Sequence, residues 1–234
     1  MVLNDATAYE INVIPEGIGA SVVVGGGVPQ INGPASGTIT RYDDQDKETV
    51  RPPEGDQPSD WAIEDVKAAL AAGLVPESVA NGGWLNPTSR LATADAIVLL
   101  IEKSTGKTIA QIASERGWDL DANTFEDTDS KAVTFLKYAG VTTGVSNNYY
   151  DPDGTYTRAM IVTMIGRVAR EFFGETMQGD NPFTDVPDWA ADYVGYAAEK
   201  GITRGVSADI FDSHGVLQNQ QTAMFTYRAY LAWQ

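Results

Sequence analysis

The sequence predicts a mostly α-helical protein of three related helix–loop–helix segments, preceded by a small β segment. From residue 59 onward, apolar residues recur at the spacing of amphipathic helices. A similar order of aromatic, glycine and apolar positions occurs three times, over residues 59–103, 125–170 and 183–234. Residues 1–42 instead carry alternating and β-branched runs that are typical of strands.

The N-terminal segment is predicted to form three or four short strands. Tyr9–Ile14 alternates apolar and polar residues, whereas Ser21–Val24 and Thr38–Thr40 are short β-branched runs. This is too few strands for an independent sandwich, so we interpret residues 1–42 as a small β appendage or as the tail of a larger β domain. Residues 43–58 are polar, contain three prolines and lack periodicity, and are predicted to be a linker that limits contact between the strands and the helices.

Composition restricts the function of the chain. Its 234 residues include 16 lysines and arginines against 32 acidic residues, for a net charge of −16, which argues against binding to nucleic acid. Cysteine is absent, and no apolar run is long enough to cross a membrane. The excess of acidic over basic residues fits a secreted or surface protein kept soluble by its charge. The N-terminus lacks a signal-peptide pattern, so we expect Met1 to be a cut end if the natural protein is exported.

The third segment shows the pattern most clearly. Between Phe183 and Gly205, apolar residues recur at helical spacing from Trp189 to Ala197, and Gly201 lies where the helix should stop. A second helix is predicted from Leu217 to Trp233.

The other two segments follow the same plan. Their second helices are predicted over Leu91–Ile101 and Tyr156–Val168, and residues 104–124 form an insertion with a helical stretch at Ile109–Arg116. A constant four-residue spacing, from Pro87 to Leu91, Pro152 to Tyr156 and Ser213 to Leu217, predicts equivalent helix entries. The three second helices are expected to pack along one axis through Ile97, Leu100, Ile161, Met164, Ile165, Ala223 and Phe225.

Several of these motifs resemble the S-layer homology family. They are Phe183-Thr-Asp185-Val186-Pro-Asp-Trp189-Ala190, Gly201-Ile-Thr-Arg204-Gly205 and Thr157-Arg158-Ala159. The resemblance covers residues 59–234 and implies a pseudo-threefold helical prism. It also implies a non-catalytic module that holds an exported protein on bacterial cell-wall polysaccharide, often one carrying pyruvate ketals. The expected location is therefore extracellular, at the cell wall or S-layer, with other surface proteins as further partners.

The candidate ligand-binding residues follow from these motifs. Thr157 is placed to cap a helix, and Arg158 in the first turn would face an anion such as a carboxylate together with the helix N-terminus. Arg204 and Gly205 would add a second donor from a neighbouring loop, and Trp61 and Trp189 offer flat faces to sugar rings. Asp151 completes the set, with an ion pair to Arg158 or a cation site as alternatives.

The segments depart from the family pattern at the helix-opening arginine. The first segment reads Ala92-Thr93-Ala94-Asp95, so Thr93 stands in its place, and the third has Asn219. In the second segment Met160 replaces the acid of a capping box. We therefore predict one charged site, at Arg158.

Other interpretations remain open. Trp61 and Trp189 each start an apolar helical face and are alternatively core anchors. The cluster Asp119, Asp121 and Asn123 resembles a calcium loop but lacks its glycine and glutamate, so we assign no metal and no cofactor. A single histidine, His214, in a polar turn gives little support for catalysis. A protein–protein or S-layer assembly scaffold on the same fold is the main alternative to polysaccharide binding.

Overall fold

The computed structural model describes residues 8–15, 20–25, 37–42 and 56–234. The chain divides into two compact units, within Met1–Thr49 and within Val50–Gln234. Residues 43–55 of the predicted linker lie outside the described residues, so the linker stays a prediction.

The first unit contains a three-stranded antiparallel sheet in the order β2-β1-β3, with β1 at Ala8–Pro15, β2 at Ala20–Gly25 and β3 at Gly37–Tyr42. In the register, Ile11 of β1 is opposite Val22 of β2 and Arg41 of β3. The three runs that the sequence predicts to be strands are confirmed as strands.

The second unit is helical, which confirms the mostly α class. In the part of the chain that the structure describes, the helices are α1 (Ile63–Ala71), α2 (Glu77–Ala80), α3 (Arg90–Thr105), α4 (Ile109–Arg116), α5 (Lys131–Tyr138), α6 (Arg158–Phe173), α7 (Asp188–Glu199) and α8 (Asn219–Ala232). Helix α4 has the bounds predicted for the insertion, because Thr108 and Gln111 form a capping box before it and Gly117 ends it in the left-handed conformation.

The core lies where α3, α6 and α8 meet, and each of these helices contacts the other two. All seven residues predicted to line this axis are buried. Around them, α7 packs against α6, α1 against α8, and α5 against α3. The three long helices therefore fix where their N-termini, and the side chains that begin them, are placed.

The predicted helix entries need one correction. Helix α3 begins at Arg90 after the N-cap Ser89, so Leu91 is its second residue, whereas Tyr156 and Leu217 each lie just before an N-cap. The residue before the N-cap of α3 is Thr88, whose backbone N–H donates to the carbonyl of Leu217. The backbone N–H of Leu217 donates in turn to the carbonyl of Tyr156.

The predicted equivalence of Leu91 with Tyr156 and Leu217 is therefore wrong. Thr88 is fully buried where the other two entries have an apolar side chain. Its hydroxyl lies 2.9 Å from that of Thr222, which satisfies both polar groups. Because threonine is polar, apolar periodicity in the sequence does not indicate this buried helix entry.

Candidate functional site

A cavity of 390 Å³ brings together four of the predicted ligand-binding residues. Trp61, Arg158, Arg204 and Gly205 line it, and they come from three separate parts of the chain. The remaining lining residues are Thr203, Val206, Gln221, Met224 and Arg228. We call it the Arg158 cavity.

Arg158 is held rigidly at the start of α6. The hydroxyl of Thr157 accepts the backbone N–H of Met160, which confirms Thr157 as the N-cap. Only 3% of Arg158 is exposed, its Nε donates to the carbonyl of Phe211 over 3.0 Å, and its guanidinium lies 4.9 Å from the Phe211 ring. Burial lowers the pKa of Arg158, yet an arginine remains cationic at neutral pH.

Arg204 and Gly205 approach from the loop after α7. Arg204 is exposed, whereas Gly205 has a left-handed φ of +72° and its backbone N–H donates to the Thr203 hydroxyl. A side chain at Gly205 would meet the carbonyl oxygen of Ile210 at 2.6 Å. The glycine is therefore required for the tight turn that presents Arg204.

A third cation, Arg228 of α8, completes the Arg158 cavity. Its guanidinium forms a 2.6 Å ion pair with Asp65 of α1, with both side chains 22% exposed. Arg204 and Arg228 also line an adjoining cavity of 460 Å³, together with Lys200. Basic side chains thus outnumber acidic ones at these two cavities, where Asp65 is the acidic lining residue, although the net charge of the chain is −16.

Neither Trp61 nor Trp189 is a core anchor. Their side chains are 55% and 52% exposed, although each begins an apolar helical face. The fully buried tryptophan is Trp84. The core interpretation of Trp61 and Trp189 is wrong, and both indole rings are accessible at the surface.

Trp189 lines a second cavity, of 260 Å³, which we call the Arg90 cavity. Sequence reasoning missed its two arginines, Arg90 and Arg167. The remaining lining residues are Val141, Thr142, Thr143, Gly144, Tyr156, Met160, Thr163 and Met164. The signal was present in the sequence, because Ser89-Arg90 gives the same order of N-cap and arginine as Thr157-Arg158.

Arg90 is held in the same way as Arg158. It is 5% exposed, and its Nε donates to the carbonyl of Tyr150 over 2.7 Å. Its guanidinium lies 4.8 Å from the Tyr150 ring and 4.1 Å from the Tyr156 ring. Thr93, predicted to stand in place of an arginine, is buried inside α3 and donates to the carbonyl of Ser89. The prediction that α6 alone opens with an arginine is therefore wrong.

Asp151 lines neither of these two cavities. It occupies a turn with a left-handed φ of +63°, and its backbone N–H donates to Asp127. The acids whose charges act on Arg158 are Asp212 and Asp185. The alternative in which Asp151 pairs with Arg158 is wrong.

The start of α8 has similar geometry without a charge. Asn219 is 2% exposed, and its side-chain amide donates to the carbonyl of Gly83 over 2.9 Å. This bond takes the place of the bonds from Arg90 to Tyr150 and from Arg158 to Phe211. Because asparagine is neutral, the start of α8 lacks the cation found at the other two helices.

Within residues that the structure describes, no group of three or more histidine or acidic side chains is arranged to hold a metal ion. Asp121 of the calcium-like cluster forms an ion pair with Lys131. None of the helices described here is both long and apolar enough to span a bilayer.

Comparison with known proteins finds a family similarity for one part of the chain. Residues 182–212 match the S-layer homology domain. This match contains Trp189, Arg204 and Gly205 of the candidate site, together with Asp185 and Phe211. The S-layer homology match thus covers α7 and the loop that forms one wall of the Arg158 cavity.

A more distant similarity extends further along the chain. Over 104 residues the chain is 30% identical to a protein named "Cell surface protein" from Thermoanaerobacter kivui. The aligned part is 43% of this chain and 14% of that protein. The chain therefore spans a small part of the relative's length.

Proposed function

We propose that residues 59–234 form three S-layer homology repeats that anchor an exported protein, without catalysis, to bacterial secondary cell-wall polysaccharide. The observation that carries the proposal is the Arg158 cavity, where three arginines and an exposed indole face one space. The S-layer homology match and the similarity to a cell surface protein support the same role.

The charge of the two cavities favours an anionic ligand. Arg158, Arg204 and Arg228 line one cavity and Arg90 and Arg167 the other, whereas the chain as a whole is strongly acidic. A guanidinium binds a carboxylate through paired, charge-assisted hydrogen bonds. A pyruvate ketal supplies such a carboxylate on a sugar ring, so a pyruvylated polysaccharide is the ligand we propose.

The shape of the site favours a sugar unit. The Arg158 cavity, at 390 Å³, falls within the roughly 300–1,000 Å³ of typical small-ligand sites. Trp61 is half-exposed beside it and offers an apolar face, as does Trp189 beside the Arg90 cavity. A ring stacked on the indole would place its ketal carboxylate toward the arginines.

Co-sedimentation with purified cell-wall sacculi tests this function. The protein is expected to pellet with intact sacculi and to stay in solution when the wall polysaccharide has been extracted. Chemical removal of the pyruvate ketals from the polysaccharide should abolish binding as well. Binding that survives extraction would overturn the proposal.

A scaffold for protein–protein or S-layer assembly is the second candidate. The neutral Asn219 at the start of α8 favours it, because a protein that needed every helix start to bind an anion would retain a cation there. Sedimentation with S-layer protein in the absence of sacculi would support the scaffold over the anchor.

A further inference from the structure

Two aspartates clamp the loops that contact the cavity arginines. The carboxylate of Asp185 accepts the backbone N–H groups of Phe211, at 2.7 Å, and Ser213, at 3.0 Å. Asp127 accepts those of Tyr150, at 2.9 Å, and Asp151, at 2.7 Å. In each case both carboxylate oxygens are used, so the aspartate fixes the position of the loop backbone.

The clamped residues are the ones that orient the arginines. Phe211 provides both the carbonyl that accepts from the Nε of Arg158 and a ring beside its guanidinium. Tyr150 provides the same two contacts to Arg90. Among the described residues, the side-chain hydrogen bond of each arginine is the one made by its Nε, which leaves the terminal nitrogens for a ligand.

We propose that Asp127 and Asp185 are positioning residues for anion binding: each fixes, through one clamped loop, the arginine that projects into one cavity. The proposal rests on the function proposed above. It assigns Asp185 to the Arg158 cavity and Asp127 to the Arg90 cavity. Neither aspartate lines the cavity that it serves, so each acts through its loop.

The chain contains its own control for this arrangement. Asp56 accepts the backbone N–H of Trp84 over 2.6 Å, and the neighbouring carbonyl of Gly83 accepts from Asn219. Here the carboxylate holds one backbone N–H, and the side chain bonded to the neighbouring carbonyl is neutral. Asp56→Asn therefore removes the same charge from a carboxylate that holds loop backbone but serves no cavity arginine.

Replacement by asparagine is the appropriate test because it keeps the size of the side chain. One asparagine oxygen still accepts a hydrogen bond, but the amide group faces the second backbone N–H, and two donors cannot pair. Asp185→Asn should therefore loosen the Phe211 carbonyl and free Arg158. Asp127→Asn should do the same to Arg90.

The first measurement needs no polysaccharide. Arginine Nε–H signals of the full chain are recorded by NMR, with Arg158→Lys and Arg90→Lys used to assign them. In Asp185→Asn we expect the Arg158 signal to lose its protection from solvent exchange and the Arg90 signal to stay protected. In Asp127→Asn we expect the Arg90 signal to lose its protection and the Arg158 signal to keep it. An Arg158 signal that stays protected in Asp185→Asn would overturn the proposal.

The second measurement is binding to sacculi, with melting temperature measured in parallel. Asp127→Asn and Asp185→Asn should each weaken binding about tenfold, the size of one charge-assisted hydrogen bond, whereas Asp56→Asn should leave it unchanged. An equal loss in Asp56→Asn would overturn the positioning role, because general destabilisation would then explain all three. If the unmodified protein does not bind sacculi, the proposed function fails, and the NMR result still decides whether each aspartate orients its arginine.

Discussion

At the residue scale, Arg90 and Arg158 are cations whose orientation is fixed before any ligand arrives. Each is at least nine-tenths buried, bonded through Nε to a loop carbonyl and stacked on the ring of the same loop residue. Holding the side chain in one position removes much of the entropy cost of binding. Arg204 is exposed, so it must be ordered when a ligand binds.

The first prediction concerns these two buried arginines. Arg158→Gln and Arg90→Gln should each weaken binding to wall polysaccharide about tenfold, because a charge-assisted hydrogen bond contributes about 1.5–3 kcal/mol. The double variant should lose nearly all binding. The measurement is affinity for isolated polysaccharide by titration calorimetry.

Arg170→Gln is the matched control, since it removes the same charge from an exposed position in the last turn of α6. It should bind like the unmodified protein. If Arg158→Gln lowers the affinity for polysaccharide and Arg90→Gln does not, the Arg90 cavity does not bind the polysaccharide.

The second prediction compares exposed and buried cations. Arg204→Ala should lower the affinity roughly threefold, which is less than the loss in Arg158→Gln. The reason is that an exposed ion pair contributes only about 0.2–1 kcal/mol. The same calorimetric titration measures it. A loss at Arg204 as large as that at Arg158 would contradict the view that pre-ordering of the buried arginine matters most.

At the element scale, the loops after α5 and α7 place their backbone against the cavities by means of glycines. Gly144 and Gly205 both have a left-handed φ, +75° and +72°, and in each a side chain would collide with a backbone carbonyl oxygen. Helices α6 and α8 supply the opposite walls. The cavities thus depend on loop shape as much as on helix packing.

The third prediction tests the close approach at Gly205. Gly205→Ala should lower the melting temperature more than Gly201→Ala. Both glycines have a left-handed φ, so an alanine at either position costs about 1–2 kcal/mol. Only Gly205 also lacks space for the added methyl group. Thermal unfolding followed by circular dichroism gives the comparison. Equal shifts for the two variants would mean that the loop relaxes around the added methyl group.

At the scale of the whole molecule, the acidic residues that set the net charge include two that hold loop backbone in place. The pKa of Asp127 is lowered, first by the N–H of Tyr150 and also by that of Asp151. For Asp185, desolvation raises the pKa, but the N–H groups of Phe211 and Ser213 outweigh it, and the net shift is downward. Both carboxylates are therefore more acidic folded than unfolded, so each stabilises the fold while ionised.

The fourth prediction gives the sign of the resulting pH dependence. The unmodified protein should have a larger free energy of unfolding than Asp185→Asn. This difference should be at its full size above the unfolded pKa of the aspartate, about 3.9, and should shrink as the pH falls through the lower folded pKa. Urea unfolding of both proteins between pH 3 and 7 measures the difference. A difference that grows toward acid pH would contradict the clamp.

The fifth prediction concerns the independence of the helical unit. A fragment of residues 50–234 should keep its helicity and melting temperature, because the described residues of that unit form two hydrophobic clusters with one another. Circular dichroism of the fragment and the full chain tests this. A large fall in melting temperature would show that the β segment stabilises the helices.

Features that depend on neighbouring residues could be predicted from the sequence. The charge, the three strands and the bounds of α4 follow from composition, alternation and caps, which act within a few residues. Thr157 as the N-cap of α6 belongs to the same group. The axial core followed from helical periodicity, because an apolar stripe must be buried wherever the helix packs.

Only the tertiary structure decided which side chains share a cavity. Trp61, Arg158 and Arg204 meet because α8 places the segment before α1 beside the start of α6 and the loop after α7. The second arginine was missed because Thr88 occupies a buried helix entry by bonding to Thr222, 134 residues away. A hydroxyl can take an apolar position when a distant partner satisfies it, and the local sequence does not contain that partner.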